Sequence, residues 1–348
     1  MRGVILIVVI ITAFMQNVYS QDRTFDISGY IDVGVAWLGE REISVGDTML
    51  STTEGKFTFL TQRFNLLPST EFGRFKVFAN IEFSNGFSTE HETGNFQLFE
   101  AWSQYTISDA LKMRGGIITT PFGVFNQIRD ASPTHLGVLP PSVFDEGFEE
   151  VDFMPMYTNF LIFGTTDFGS IQLEYAAFTG NGKGVEGETS IDLNNGKDYG
   201  ARFGIGFSDE VTMGVSAWKS GLEEYENNKK EEHTLYGTDF LLSIGNFEIR
   251  SELMPGFAVI NGNKFFKATF FVIASHTMNE TITPYILFDY LRDDAHIKLS
   301  HIQKRYSIGI TYKPIWRTAL KVQYVMDTYA RPGVNDNSNI FMGISILF

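Results

Sequence analysis

Residues 25–38 read FDISGYIDVGVAWL, and their alternation decides the fold. Phe25, Ile27, Ile31, Val33, Val35 and Trp37 take the odd positions, while Asp26, Ser28 and Asp32 take even ones. Successive side chains of a strand point to opposite faces, so the stretch predicts a β-strand with one dry face. The same period recurs over residues 74–84, 96–107, 111–119, 197–208, 281–291, 318–328 and 339–348, among others. Together these segments predict about 16 strands, an even number in the range of closed membrane barrels.

The composition agrees. The 348 residues are 43% hydrophobic and 15% aromatic, yet the mean hydropathy is only −0.04. No long apolar helix follows the N-terminus, and averaging of lipid-facing and lumen-facing side chains along barrel strands accounts for that neutrality. The 33 glycines and 33 phenylalanines suit bent strands and membrane interfaces. Absence of cysteine removes disulfides, thiolate nucleophiles and cysteine metal sites. With 27 basic and 41 acidic residues the formal charge is −14, which excludes a general affinity for nucleic acid. Arg2, the apolar run 4–14 and the small-residue end Val18-Tyr19-Ser20 predict a secretory leader over 1–20, leaving 21–348 as one barrel domain.

The connections carry further information. They alternate between long (39–55, 85–95, 180–196, 221–233, 255–263, 292–302) and short (67–73, 108–110, 167–169, 209–210, 245–246). A transmembrane antiparallel barrel has this pattern, with short periplasmic turns and long outer loops. Trp37, Tyr175, Tyr199, Trp316 and Tyr329 near strand ends suit interfacial girdles. The longest interval without alternation is TTPFGVFNQIRDASPTHLGVLPPSVFDEGFEEVDFMP, residues 119–155, with prolines at 121, 133, 140, 141 and 155. Proline removes a ladder donor, so the sheet cannot continue here, and the segment is expected to fold into the lumen.

Two resemblances follow from these residues. In the last strand Ile340, Met342, Ile344, Ile346 and Phe348 form one apolar face ending on an aromatic carboxylate, which resembles the C-terminal insertion signal of outer-membrane barrels. Arg114, Gly116, Pro121, Phe122 and Gly123 fit the form R-x-G-x-x-x-x-P-F-G. That order of strand, motif and proline-bearing loop resembles the Gram-negative outer-membrane porin superfamily, in its general and phosphate-selective branches. The resemblance implies a homotrimer of 16-stranded barrels, each with its third loop tucked inside. It also implies the outer membrane as location, and as partners its lipid and lipopolysaccharide, the barrel assembly machinery and small hydrophilic solutes. The segment 119–155 has no lysine, unlike phosphate-selective loops, which argues against phosphate specificity.

Selection in such a pore is electrostatic. Strand parity turns Arg74, Lys76, Asn80 and Glu82 inward, with Lys112, Arg114, Arg202, Arg250 and Lys321. The loop contributes Arg129 and Asp130, then Asp145, Glu146, Glu149 and Glu150. A basic wall facing an acidic loop is therefore expected at the constriction, with acids in the outer loops adding a weak cation preference. Asp192, Asn194 and Asp198 depart from a calcium loop, and no histidines have zinc spacing, so neither metal nor cofactor is expected. A passive diffusion channel is the leading expectation. A channel selective for phosphate or another anion is the alternative, followed by a barrel enzyme or an adhesin.

Overall fold

A computed structural model of the chain describes residues 23–39, 41–45, 48–53, 55–59, 62–85, 95–129, 132–144, 153–154, 156–182, 196–208, 210–224, 230–295, 302–330 and 334–348. The leader expected over 1–20 lies outside them. Sixteen antiparallel strands form one closed sheet. They are β1 (Arg23–Leu38), β2 (Gln62–Phe72), β3 (Phe75–Asn85), β4 (Asn95–Ser108), β5 (Leu111–Thr119), β6 (Tyr157–Phe168), β7 (Ile171–Gly180) and β8 (Asp198–Ser208). The second half comprises β9 (Val211–Lys219), β10 (Lys230–Ile244), β11 (Phe247–Ile260), β12 (Asn263–His276), β13 (Ile282–Asp293), β14 (Ile302–Ile315), β15 (Thr318–Tyr329) and β16 (Asn337–Leu347). Short pieces at Lys56–Phe59 and Glu223–Glu224 pair with β1 and β10, and Arg41–Val45 pairs with Thr48–Thr53 in the first long loop.

Closure comes from the two ends of the chain. β1 pairs with β16 from Tyr30↔Leu347 to Leu38↔Asn339, so no edge strand is left unpaired. Phe348 exchanges backbone hydrogen bonds with Gly29 at 3.0 and 3.1 Å, and its ring stacks on Phe64 at 5.6 Å. The terminal aromatic thus seals the seam, while Ile340, Met342, Ile344 and Ile346 face outward as the alternation predicts. Trp37, Tyr199 and Trp316 are exposed near strand ends, in keeping with girdles.

Two connections differ from expectation because of prolines. β2 runs through Pro68 to Phe72, and the turn is Gly73–Arg74 instead of 67–73. β11 runs through Pro255 to Ile260, and a two-residue turn, Asn261–Gly262 with φ of 48° and 82°, replaces the expected long loop 255–263. In both strands the ladder on one side lapses at the proline without a change of register. β2–β3 pairing resumes from Leu66↔Ile81 to Ser69↔Phe78, and β10–β11 pairing from Leu235↔Gly256 to Thr238↔Leu253. A barrel strand therefore tolerates proline where one missing N–H interrupts a single rung. The alternation of long and short connections holds elsewhere but is not strict.

Candidate constriction site

β5 delivers the chain into the lumen. Ile118 is fully buried on its inward face, and the Thr120 N–H bonds Met156 O at 2.9 Å, zipping together the two ends of the inserted segment. The segment then coils through three single 3₁₀ turns, Phe125–Ile128, Ser132–Thr134 and Ser142–Phe144. Its apolar side chains Phe122, Phe125, Val143, Phe144, Phe153 and Met154 pack on inward residues of the wall, Trp102, Phe178, Trp218, Leu235, Met254, Phe271 and Leu291. Burying one such aromatic contributes roughly 1.5–3 kcal/mol, so the loop is held by a core of its own within the barrel.

Hydrogen bonds fix its path from β9 to β15. Gly123 N–H donates to Ser216 Oγ at 3.1 Å, and the N–H groups of Val124 and Phe125 both donate to Glu252 Oε1, at 2.8 and 2.6 Å. Leu139 N–H donates to Gln323 Oε1 at 2.8 Å, while Ser142 gives Asp289 both its N–H (3.1 Å) and its hydroxyl (2.8 Å). Arg305 Nη1 donates to Pro140 O, Thr311 Oγ1 to Leu136 O, and Lys267 Nζ to Phe153 O. Carboxylate acceptors aimed at backbone donors are the stronger kind of hydrogen bond, and they satisfy amides that proline-rich backbone leaves without a ladder.

The PFG motif acquires a physical meaning here. Phe122 is fully buried beside Gly237, and Gly123 has φ of 66° with its Cα against the Glu252 carboxylate, where a Cβ would overlap Oε2. Only glycine gives both the left-handed backbone and the close approach. His135 stacks on Phe125 at 5.1 Å, and its Nε2 lies 2.8 Å from Ile128 O. Burial, reinforced by the positive charge of Lys321, pushes its pKa down to about 3, so the docked ring is neutral and Nε2–H is the donor.

The expected site residues occupy different places. Arg114 is on the inner wall beneath the loop, its guanidinium 3.8 Å over Trp102 and 4.9 Å from the Phe163 ring centre, with Nη2 bonded to Gln104 at 2.8 Å. Lys76 and Lys112 face inward but bind acids at the short-turn rim, Glu71 at 2.6 Å and Asp109 at 4.0 Å. Arg74 is a correction: it sits in the turn itself, exposed, because the strand begins one residue later than the alternation suggested. Arg129 is buried in the loop and bonds Asn126 at 3.3 Å. Asp130, Asp145, Glu146, Glu149 and Glu150 lie outside the described residues.

The anchors Glu252, Asp289, Ser216 and Gln323 were missed by sequence reasoning. Their inward parity was readable, but nothing in the sequence marks which inward polar residue meets the loop. The wall meets the described part of the loop with both signs: Glu252 and Asp289 accept its N–H groups, while Arg305 and Lys267 donate to its carbonyls. Elsewhere on the inner wall Arg202 joins Asp239 at 2.7 Å and Glu174 at 3.3 Å, and Arg305 joins Asp327 at 2.8 Å.

No sequence-family profile matches the chain, and no curated protein matches it by sequence. Its fold is similar to that of the outer membrane channel DcaP of Acinetobacter baumannii, with TM-score 0.63, 12% identity, and 94% and 97% of the two chains covered. It is likewise similar to an anion-selective porin from Comamonas acidovorans (TM-score 0.63, 11% identity, 94% and 100% covered). A third similar structure is the trimer form of OmpT, an outer membrane protein of Vibrio cholerae (TM-score 0.58, 10% identity, 94% and 99% covered). The fold is that of Gram-negative outer-membrane porins.

Proposed function

We propose that the chain resides in a Gram-negative outer membrane and forms a water-filled channel for small hydrophilic solutes and ions, with a weak preference for cations. The observation that carries this reading is the inserted loop, which crosses the lumen of a closed barrel and is pinned to the wall from β9 to β15. A segment with its own core and so many fixed donors narrows the lumen at a defined level. The cation preference rests on the inward faces. There the described carboxylates Asp32, Glu71, Glu82, Glu100, Glu174, Asp198, Glu231, Asp239, Glu248, Glu252, Asp289, Asp293 and Asp327 outnumber the cations Arg63, Lys76, Lys112, Arg114, Arg202, Arg250, Lys267, Arg305 and Lys321. A lumen of one prevailing sign concentrates the opposite ion. Assembly as a homotrimer accords with the trimer form of one similar structure.

Single-channel recording in a planar bilayer tests it. Stepwise conductance, a reversal potential favouring potassium across a KCl gradient, and larger steps on deleting residues 138–153 are the expected results. Absence of steps overturns the channel, and a potential favouring chloride overturns the cation preference in favour of an anion-selective pore.

A further inference from the structure

Four ionisable side chains form a dry cluster at the outer ends of β10, β12 and β13. Lys267 is 0% exposed, Glu231 1%, Asp293 4% and His233 6%. All four point inward, and Lys267 and Asp293 are direct cross-strand partners. Lys267 Nζ lies 3.4 Å from Asp293 Oδ2, 3.4 Å from His233 Nδ1 and 3.4 Å from Phe153 O. His233 Nε2 in turn lies 2.8 Å from Glu231 Oε1. Trp218 stacks on the imidazole at 6.0 Å, and the Phe153 ring of the inserted loop sits over Lys267 Nζ at 4.8 Å.

Three of these groups stand in the order amine, base, orienting acid. The Nε2–H of His233 donates to Glu231, which leaves the Nδ1 lone pair facing an N–H of Lys267. A base so oriented takes a proton from an attacking nitrogen. Solutes in the lumen do not reach a fully buried amine. Among the described residues, the carboxyl group in contact with it is that of Asp293.

We infer that Lys267 and Asp293 condense into an amide bond, a covalent cross-link that the folded chain forms on itself with His233 as the base. The atoms balance without a co-reactant. One Lys267 proton passes to Asp293, giving an amine and a carboxylic acid, which a dry pocket holds at less cost than two charges. The amine lone pair forms a C–N bond with Asp293 Cγ, and the next proton of the nitrogen passes to His233 Nδ1 as the Nε2 proton moves to Glu231. The C–O bond then breaks, and the departing hydroxyl takes that proton back through His233 and leaves as water. Amine and acid held in contact react at an effective molarity of roughly 10⁵–10⁸ M, and exclusion of water opposes hydrolysis. The 3.4 Å separation is that of the unreacted pair. The bond ties β12 to β13 at the outer rim, where the loop returns at Phe153. The inference is independent of the channel reading, because it removes one charge of each sign from the inner wall.

The folded protein is denatured, its intact mass is compared with the mass its sequence requires, and a tryptic digest locates the bond. The expected result is a wild type lighter by one water, a branched peptide holding Lys267 and Asp293, and no cleavage after Lys267. K267R and D293A should keep the full mass. D293N should be lighter by one ammonia, because the same attack on a side-chain amide expels ammonia in place of water. During refolding of chain recovered unfolded from inclusion bodies, E231Q should lose water more slowly than wild type and E231D should restore the rate, a readout that a merely structural role would not move. Lys76 lies nearer its acid, 2.6 Å from Glu71, but is exposed to water, and trypsin should cleave after it. A wild type of full mass overturns the inference and leaves the cluster a buried ion pair. Loss of water with cleavage after Lys267 intact also overturns it, in favour of a cyclic imide at Asp293. Both deciding results are read on wild type, so a variant that fails to fold does not shelter the inference.

Discussion

Glu252 accepts the N–H of Phe125 at 2.6 Å, joining an inward carboxylate of β11 to the first helical turn of the inserted loop across 127 residues of chain. The same oxygen takes the N–H of Val124, so one side chain holds the loop where it leaves β5 and turns across the lumen. Glu252→Ala leaves two buried donors without an acceptor, at a cost of about 1–3 kcal/mol each. Arg129 is buried in the docked loop. The expected outcome is faster tryptic cleavage after Arg129 and noisier single-channel current in E252A, with the barrel still resistant to SDS at room temperature. Unchanged cleavage would show that the aromatic core alone fixes the loop.

Gly123→Ala attacks the same contact from the loop side. The added methyl meets the Glu252 carboxylate, and φ of 66° costs an L-residue roughly 1–2 kcal/mol by itself. A lower temperature for loss of the SDS-resistant fold is expected, with a smaller further loss in G123A/E252A than in G123A alone. Additive losses would mean that the two residues do not act through one contact.

His135 makes loop docking depend on pH. Its docked pKa of about 3 lies below the ordinary histidine value, so the undocked loop binds the extra proton first. Docking is at full strength above about pH 6.5 and weakens as pH falls toward 3, by about 2 kcal/mol at pH 5. Current noise and tryptic cleavage should rise between pH 7 and pH 4 in the wild type, and rise less over that range in H135Q.

Arg114→Gln removes an inward cation stacked on Trp102, a wall residue of the core on which the loop packs. Its guanidinium over Trp102 contributes about 0.5–2 kcal/mol, so a modest loss of thermal stability is expected. The reversal potential should move further toward potassium, whereas Lys76→Gln, at the turn rim beside Glu71, should leave it nearly unchanged.

Period-2 alternation made the barrel legible, because the side-chain parity of a strand is local and survives any tertiary context. It correctly assigned the outward face of β16 and the inward face of Arg114, Arg202, Arg250 and Lys321. Glycine and proline punctuation located most turns, and failed at Pro68 and Pro255, where a strand absorbs one missing rung. The PFG motif located the loop's entry but not its partner.

What parity could not give was height along the barrel. Arg74, Lys76 and Arg114 read alike in sequence, yet one sits in a turn, one beside it and one under the loop. Register and turn position set that height, and both come from strand pairing between segments distant in sequence. The same reason hid Glu252 and Asp289, ordinary inward acids until the loop folds back across more than a hundred residues to meet them. The sequence by itself determined a closed barrel with a segment that cannot join the sheet. Only the tertiary structure decided where that segment docks, since docking depends on non-local contacts that no periodicity encodes.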